Sequence, residues 1–227
     1  MGNNRNLSDE TYQKLLEKII VNELKPGDFL NELVLTKELN VSRTPYRAAI
    51  DRLQTVGLLE TEAGKAPRVR QFSLEDITSL VEALIVIEKT VAKMAAQRAT
   101  ASDIEKIKQA NELVTAAALI NDPNDYVHKN ENFHRAIAEA AHNPFLFQVH
   151  HQLRILMQQL TYIALEKAKS GSPEDVLEYY KMLSDQHIEI ADGIEKKDSA
   201  RVEELSVEHL KTFHVKIIMY FTRLDVY

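Results

Sequence analysis

Apolar positions recur at intervals of three and four along most of this chain, the spacing of amphipathic helices rather than of strands. Polar residues 1–6 read as a frayed end, and Ser8 is placed to cap a helix to about Val21 that buries Leu15, Leu16, Ile19 and Ile20. Lys25-Pro26-Gly27-Asp28 predicts a turn. Asn31 then caps a short helix to about Leu39, with Leu33, Val34 and Leu35 as its apolar surface, and Asn40 suits the left-handed residue that ends it. Ser42 opens the next helix, its hydroxyl placed to accept from first-turn amides and Pro45 early enough to be tolerated. That helix runs to about Thr55, buries Ala49, Ile50 and Leu53, and stops at Gly57. Leu58–Thr61 and Arg68–Phe72 read as short strands around a hairpin tip at Ala63–Pro67.

From Ser73 every segment reads as helix, at about 74–98, 101–120, 124–142, 145–169, 174–196 and 199–224. The breaks fall at Thr100, Pro123, Asn143-Pro144, Gly171-Ser172-Pro173 and Lys197-Asp198, and connections this short predict antiparallel neighbours. The expected fold is mainly α: a winged helix-turn-helix over residues 1–72, then an antiparallel all-α bundle of about six helices over 73–227.

Composition narrows the function. The 227 residues are 44% hydrophobic and 27% charged, as in ordinary globular proteins, and a chain of this length suits two domains. The absence of cysteine excludes disulfides and thiolate metal sites. No apolar run reaches membrane-spanning length and the first thirty residues lack the order of a signal peptide, so a cytoplasmic protein is expected. The net charge of -6 is uneven: residues 1–72 hold 11 Lys/Arg against 10 Asp/Glu, and residues 41–70 hold six against three. A basic face confined to one end of an acidic molecule fits contact with phosphate at that end.

Asn40-Val41-Ser42-Arg43-Thr44-Pro45-Tyr46-Arg47 carries the chemistry of that end. Arg43 and Arg47 lie four apart, on one face of a helix N-terminus, where two guanidinium groups can bond guanine edges or clamp phosphates. Ser42 and Thr44 add hydroxyl donors, and the hairpin contributes Gly64, Lys65 and Arg68. An isolated arginine pair is more often a solvated helix face; here a short helix and tight turn precede it and a basic wing follows. Leu24-Lys25-Pro26-Gly27, Leu30-Asn31-Glu32, Val41 to Pro45 with Arg47, and Leu53 to Gly57-Leu58-Leu59 resemble the GntR family of bacterial regulators over about residues 8–71. The resemblance implies that Arg43 and Arg47 read bases, that Ser42 and Thr44 hold phosphates, and that the Gly64-Lys65 tip enters the minor groove. Tyr46 stands where the family usually has a small aliphatic residue, Ala48 where it often has glutamate, and Leu33 where part of it has a basic residue. Tyr46 either packs on the first helix or alters operator preference.

Three seams mark the bundle. Val127, Asn130, His134, Ile137 and Ala141 share one face of its third helix. Val176, Tyr180, Leu183, His187, Ile190 and Ile194 line the fifth, and Val202, Ser206, His209, Phe213, Ile217, Tyr220 and Leu224 the last. A single buried histidine is usually a hydrogen-bonded core residue; three facing inward from three helices can also bind zinc, nickel or a similar ion as neutral imidazoles. His128, His142, His150, His151 and His214 have no comparable placement and read as surface or packing residues.

Residues 73–224 are similar to the effector (FCD-type) domain of the FadR-like branch of the same family, through Phe133-His134-Arg135-Ala136-Ile137, Ala141-His142-Asn143-Pro144, Glu88, Ala95-Ala96 and Arg98. That resemblance implies one divalent metal (zinc, nickel or manganese) held by Asn130, His134, His187 and His209, with a small carboxylate effector completing its coordination. Asn130 replaces the usual aspartate, and Leu84 stands where many members carry an arginine.

The expected function is a DNA-binding transcription regulator, a homodimer on a near-palindromic operator, whose affinity a small-molecule effector controls. The alternative is a metal-dependent hydrolase with an accessory winged-helix module. Against it, the seams supply no carboxylate beside the histidines to act as general base, and no catalytic motif is present, so an enzyme is not expected.

Overall fold

In the computed structural model, which describes residues 2–120, 122–168 and 173–222, helix α1 runs from Gly2 to Ile20. It begins well before Ser8, which lies inside it and not at a cap. Residues 3–7 contain neither glycine nor proline to interrupt it, and Thr11 Oγ1 donates to the Leu7 carbonyl at 2.6 Å. After the turn, Asn31 caps α2 (Glu32–Glu38) as expected, accepting from the Leu33 and Val34 amides at 3.0 and 3.2 Å. Only Leu35 of the expected apolar surface is buried, because a helix of seven residues turns a single narrow face to α3; Leu33 and Val34 stay 68% and 58% exposed. Asn40, at φ +54°, makes the left-handed turn into α3 (Arg43–Val56), which Gly57 ends at φ +93°.

Strands β1 (Leu59–Glu60) and β2 (Arg68–Val69) pair antiparallel, Leu59 opposite Val69 and Glu60 opposite Arg68. They are shorter than expected because the wing is also held from the side. Gly27 donates to the Val69 carbonyl at 2.8 Å, Val69 to Asp28 at 2.9 Å, and Phe29 bridges Arg68. Tyr12, Leu15, Ile19, Leu30, Tyr46, Ala49, Leu53 and Leu58 form the core of this unit, Met1–Ser73.

The second unit, Leu74–Tyr227, contains α4 (Leu74–Arg98), α5 (Ala101–Ile120), α6 (Pro123–Ala140), α7 (Pro144–Ala168), α8 (Pro173–Glu195) and α9 (Ser199–Thr222). Local chemistry sets several of the ends. Asp122 accepts from the Asn124 amide at the start of α6, Asn143 from the Phe145 and Leu146 amides at α7, and Asp198 from the Arg201 amide at α9. Helix α4 lies against α9, α7 and α6, and α5 against α6 and α8. Lys93 meets Glu203 at 3.0 Å and Thr78 meets His214 at 3.4 Å, so α4 and α9 run antiparallel.

The three seams are buried: Val127, Asn130, His134 and Ile137 on α6; Tyr180, Leu183, His187, Ile190 and Ile194 on α8; Val202, Ser206, His209, Phe213, Ile217 and Tyr220 on α9. Val176 and Leu224 lie outside the described side chains, as do Gly171 and Ser172 of the expected break. Among the described residues no helix is long and apolar enough to cross a membrane.

Candidate functional site

The first unit offers an exposed basic face. Arg43 and Arg47 project from the first turn of α3 and are 67% and 66% exposed, with Ser42 and Thr44 exposed beside them. Ser42 takes the extended N-cap backbone (φ −77°, ψ 168°), but its hydroxyl makes no capping hydrogen bond, contrary to expectation. The first-turn donors it was expected to satisfy are thus left for an outside acceptor. Gly64 turns the wing at φ +78°, and Lys65, also exposed, pairs with Glu62 at 2.5 Å. Arg68 is set apart from that tip: it lies half-buried in β2, tied to Glu60 at 2.7 Å and Glu62 at 3.4 Å. Not foreseen from sequence is Glu32, which lies against both arginines, 3.2 Å from Arg43 Nε and 3.0 Å from Arg47 Nε.

The second unit gathers His134 of α6, His187 of α8 and His209 of α9 in its interior, one ring nitrogen of each lying within 4.8 Å of the others. His187 Nε2 and His209 Nε2 are 3.2 Å apart. That is close to the separation of two imidazole nitrogens bound about 2.0–2.1 Å from one ion. His209 Nδ1 faces Gln186 Oε1 at 3.0 Å, and an amide oxygen only accepts, so the proton sits on Nδ1 and the Nε2 lone pair faces inward. His134 is oriented the same way: its Nδ1 faces Glu88 Oε2 at 3.5 Å, while its buried Nε2 has no hydrogen-bond partner. Burial, then the Arg154 charge, holds the His134 proton affinity well below the usual histidine range. His187 is lowered by burial and by His209, and His209 falls to about 4 through burial, against the raising effect of Glu88. All three are therefore neutral near pH 7, the form that binds a metal.

Around them runs a buried charge network. Arg154 of α7 donates to Glu131 of α6 at 3.0 Å and to Glu88 of α4 at 3.2 Å, and His150 lies 3.5 Å from Glu88. Burial alone would raise both carboxyls, but the Arg154 guanidinium holds each below its ordinary value. Two expectations are corrected here. His150 is fully interior and belongs to this network, and a carboxylate, Glu88, does stand beside the histidines. Its oxygens are engaged by Arg154, His150 and His134, so it orients an imidazole as metal-site carboxylates do.

Asn130 lines a cavity with Tyr126, His134, Arg154, Thr161 and His209, and a second cavity touches the other side of His134 beside Glu88 and His150. Each holds about 10 Å³, room for no more than a water-sized body. Leu84, fully buried, brings no charge to the interior from α4.

Residues 7–69 match the bacterial regulatory proteins of the gntR family, and residues 79–212 match the FCD domain. The chain belongs to the GntR family of regulators. Its second unit is the family's FCD domain. The HTH-type transcriptional regulator LutR of Bacillus subtilis (strain 168) is 26% identical over 222 residues, covering 88% of this chain and 95% of that protein. The HTH-type transcriptional repressor RspR of Escherichia coli (strain K12) is 24% identical over 205 residues, covering 90% and 86%. The solved structure of E. coli McbR/YncC superposes with a TM-score of 0.82 at 19% identity, over 95% of this chain and 99% of that one, and shares the fold. This GntR protein is a transcription regulator by family and by relatives, which are not enzymes, and the hydrolase alternative has no support among them. Its unusual Tyr46 is buried, with the hydroxyl donating to the Leu30 carbonyl at 3.4 Å; burial, then Glu32, pushes that hydroxyl up to about 12. Tyr46 is thus a packing residue of the GntR helix-turn-helix.

Proposed function

We propose that the chain acts as a homodimer on a near-palindromic operator in the cytoplasm, reading bases with Arg43 and Arg47. Ser42 and Thr44 hold phosphates, and the Gly64-Lys65 tip lies in the minor groove with Arg68 at its base. One recognition helix reads only a few base pairs, so two-fold symmetry is what gives a site useful length.

Control resides in the bundle, and the observation that carries this reading is the orphaned His134 Nε2 among three neutral imidazoles. The residues suit a divalent ion (zinc, nickel or manganese): His134, His187 and His209 would hold it, with the Asn130 side-chain oxygen as a neutral fourth donor. A bound ion would supply Lewis acidity toward an oxygen ligand, which favours a small carboxylate as effector. The protein's own residues do the rest. Glu88 and Gln186 fix two imidazoles in the tautomer that points Nε2 inward, and the Arg154 guanidinium, which lines the cavity, is itself held by Glu88 and Glu131. Cavities of about 10 Å³ admit no organic acid unless the helices part. Effector entry therefore moves bundle helices, and α4, which carries Glu88, follows β2 after only residues 70–73.

Isothermal titration of chelator-stripped protein with zinc and with manganese tests the site. One ion per chain is expected for at least one metal, lost in His134→Ala, with circular dichroism reporting that the variant is folded. No binding by the wild type would overturn the metal reading.

A further inference from the structure

The carboxylate of Glu32 touches both arginines of the reading face. Its Oε1 lies 3.2 Å from Arg43 Nε and 3.3 Å from Arg47 Nη2, and its Oε2 lies 3.0 Å from Arg47 Nε. A negative charge at the centre of a surface meant for phosphate is costly unless it does something there. Glu32 is not needed to cap its helix, because Asn31 does so.

We propose that Glu32 is a specificity-determining residue of the DNA interface, holding Arg43 and Arg47 in reading geometry and penalising contacts made to phosphate alone. The proposal rests on the assignment of those two arginines as the base readers. The pairing geometry and its electrostatics support it. The side-on edge of Arg47, Nε and Nη2, is occupied by the carboxylate in a paired hydrogen bond, and this leaves Nη1 and the second Nη2 hydrogen to reach forward. A guanine edge accepts two such donors, so the clamp survives on cognate DNA. Two guanidinium groups one helical turn apart repel each other, and the shared Oε1 offsets that repulsion while fixing both side chains. On non-cognate DNA the arginines find only phosphates. There the Glu32 charge subtracts from the electrostatic attraction that sets non-specific affinity.

The test uses the full-length chain and a duplex selected from a random pool by the wild-type protein, compared with a shuffled duplex of the same composition. Binding is followed by fluorescence anisotropy from 50 to 300 mM salt for wild type and Glu32→Gln, with thermal melts of both proteins. Glu32→Gln should bind the shuffled duplex about 3- to 10-fold more tightly, with a salt slope steeper by about one. The selected-to-shuffled ratio should narrow accordingly. An unchanged ratio and slope in a folded variant would overturn the proposal, as would equal weakening on both duplexes, which marks a merely structural residue. Failure of the wild type to enrich any sequence would instead overturn the base-reading assignment beneath it.

Discussion

His134, His187 and His209 sit where water is excluded, and each holds its proton less firmly than a free imidazole does. An imidazole with a depressed folded value takes up its proton more readily when the chain unfolds. Acid therefore favours the unfolded state: stability is full above about pH 6.5 and falls as pH drops toward 4, the value His209 reaches. Glu88 and Glu131, also depressed, contribute stability above their ordinary value of 4.5 and lose it on further acidification, in the same direction. The urea midpoint of chelator-stripped protein should thus decline between pH 7 and pH 5, before surface carboxylates titrate. A flat profile over that range would mean the imidazoles are not buried as described. The histidines and Asn130 were legible because helical periodicity alone places them on inward seams. Arg154, Glu131 and His150 were not. A charged residue on a helix reads as solvent-facing, and only three-dimensional neighbours reveal that Arg154 pairs with Glu131 and Glu88 inside and that His150 lies against Glu88.

Among the elements, the helices of the bundle were the most legible, since proline, asparagine and aspartate at their starts act locally as caps. What sequence could not give is how closely α8 and α9 approach. A Cβ added at Gly193 would stand 2.5 Å from Val202 Cγ2, and a β-branched side chain cannot swing clear. Gly193→Ala should destabilise the bundle by about 1–3 kcal/mol. Adding Val202→Ala should recover part of that loss, since the clash is with its methyl group. Chemical denaturation checks both variants; if the double variant is no more stable than the single one, close packing is not the reason for the glycine. The start of α1 was misread for a related reason: Ser8 has the chemistry of a cap, but nothing before it stops the helix. In the wing, alternation suggested longer strands than form, because part of the pairing goes to Gly27–Phe29.

For the whole molecule, the order of helix, helix, turn, helix, hairpin and bundle follows from periodicity and punctuation, and Lys and Arg outnumber Asp and Glu only in residues 1–72. The division of labour is equally plain. In the proposed reading, exposed arginines contact bases and the bundle interior senses the effector, whose entry changes helix packing because the cavities there hold only about 10 Å³ each. A regulator of this kind works only if the N-terminus of α3 discriminates between sequences. The most direct measurement is a gel-shift titration of wild type and Arg43→Ala on the selected and shuffled duplexes at one salt concentration. The variant should lose about 1–3 kcal/mol of discrimination, a drop of roughly 5- to 150-fold in the affinity ratio. Full discrimination retained by Arg43→Ala would contradict the account at its centre.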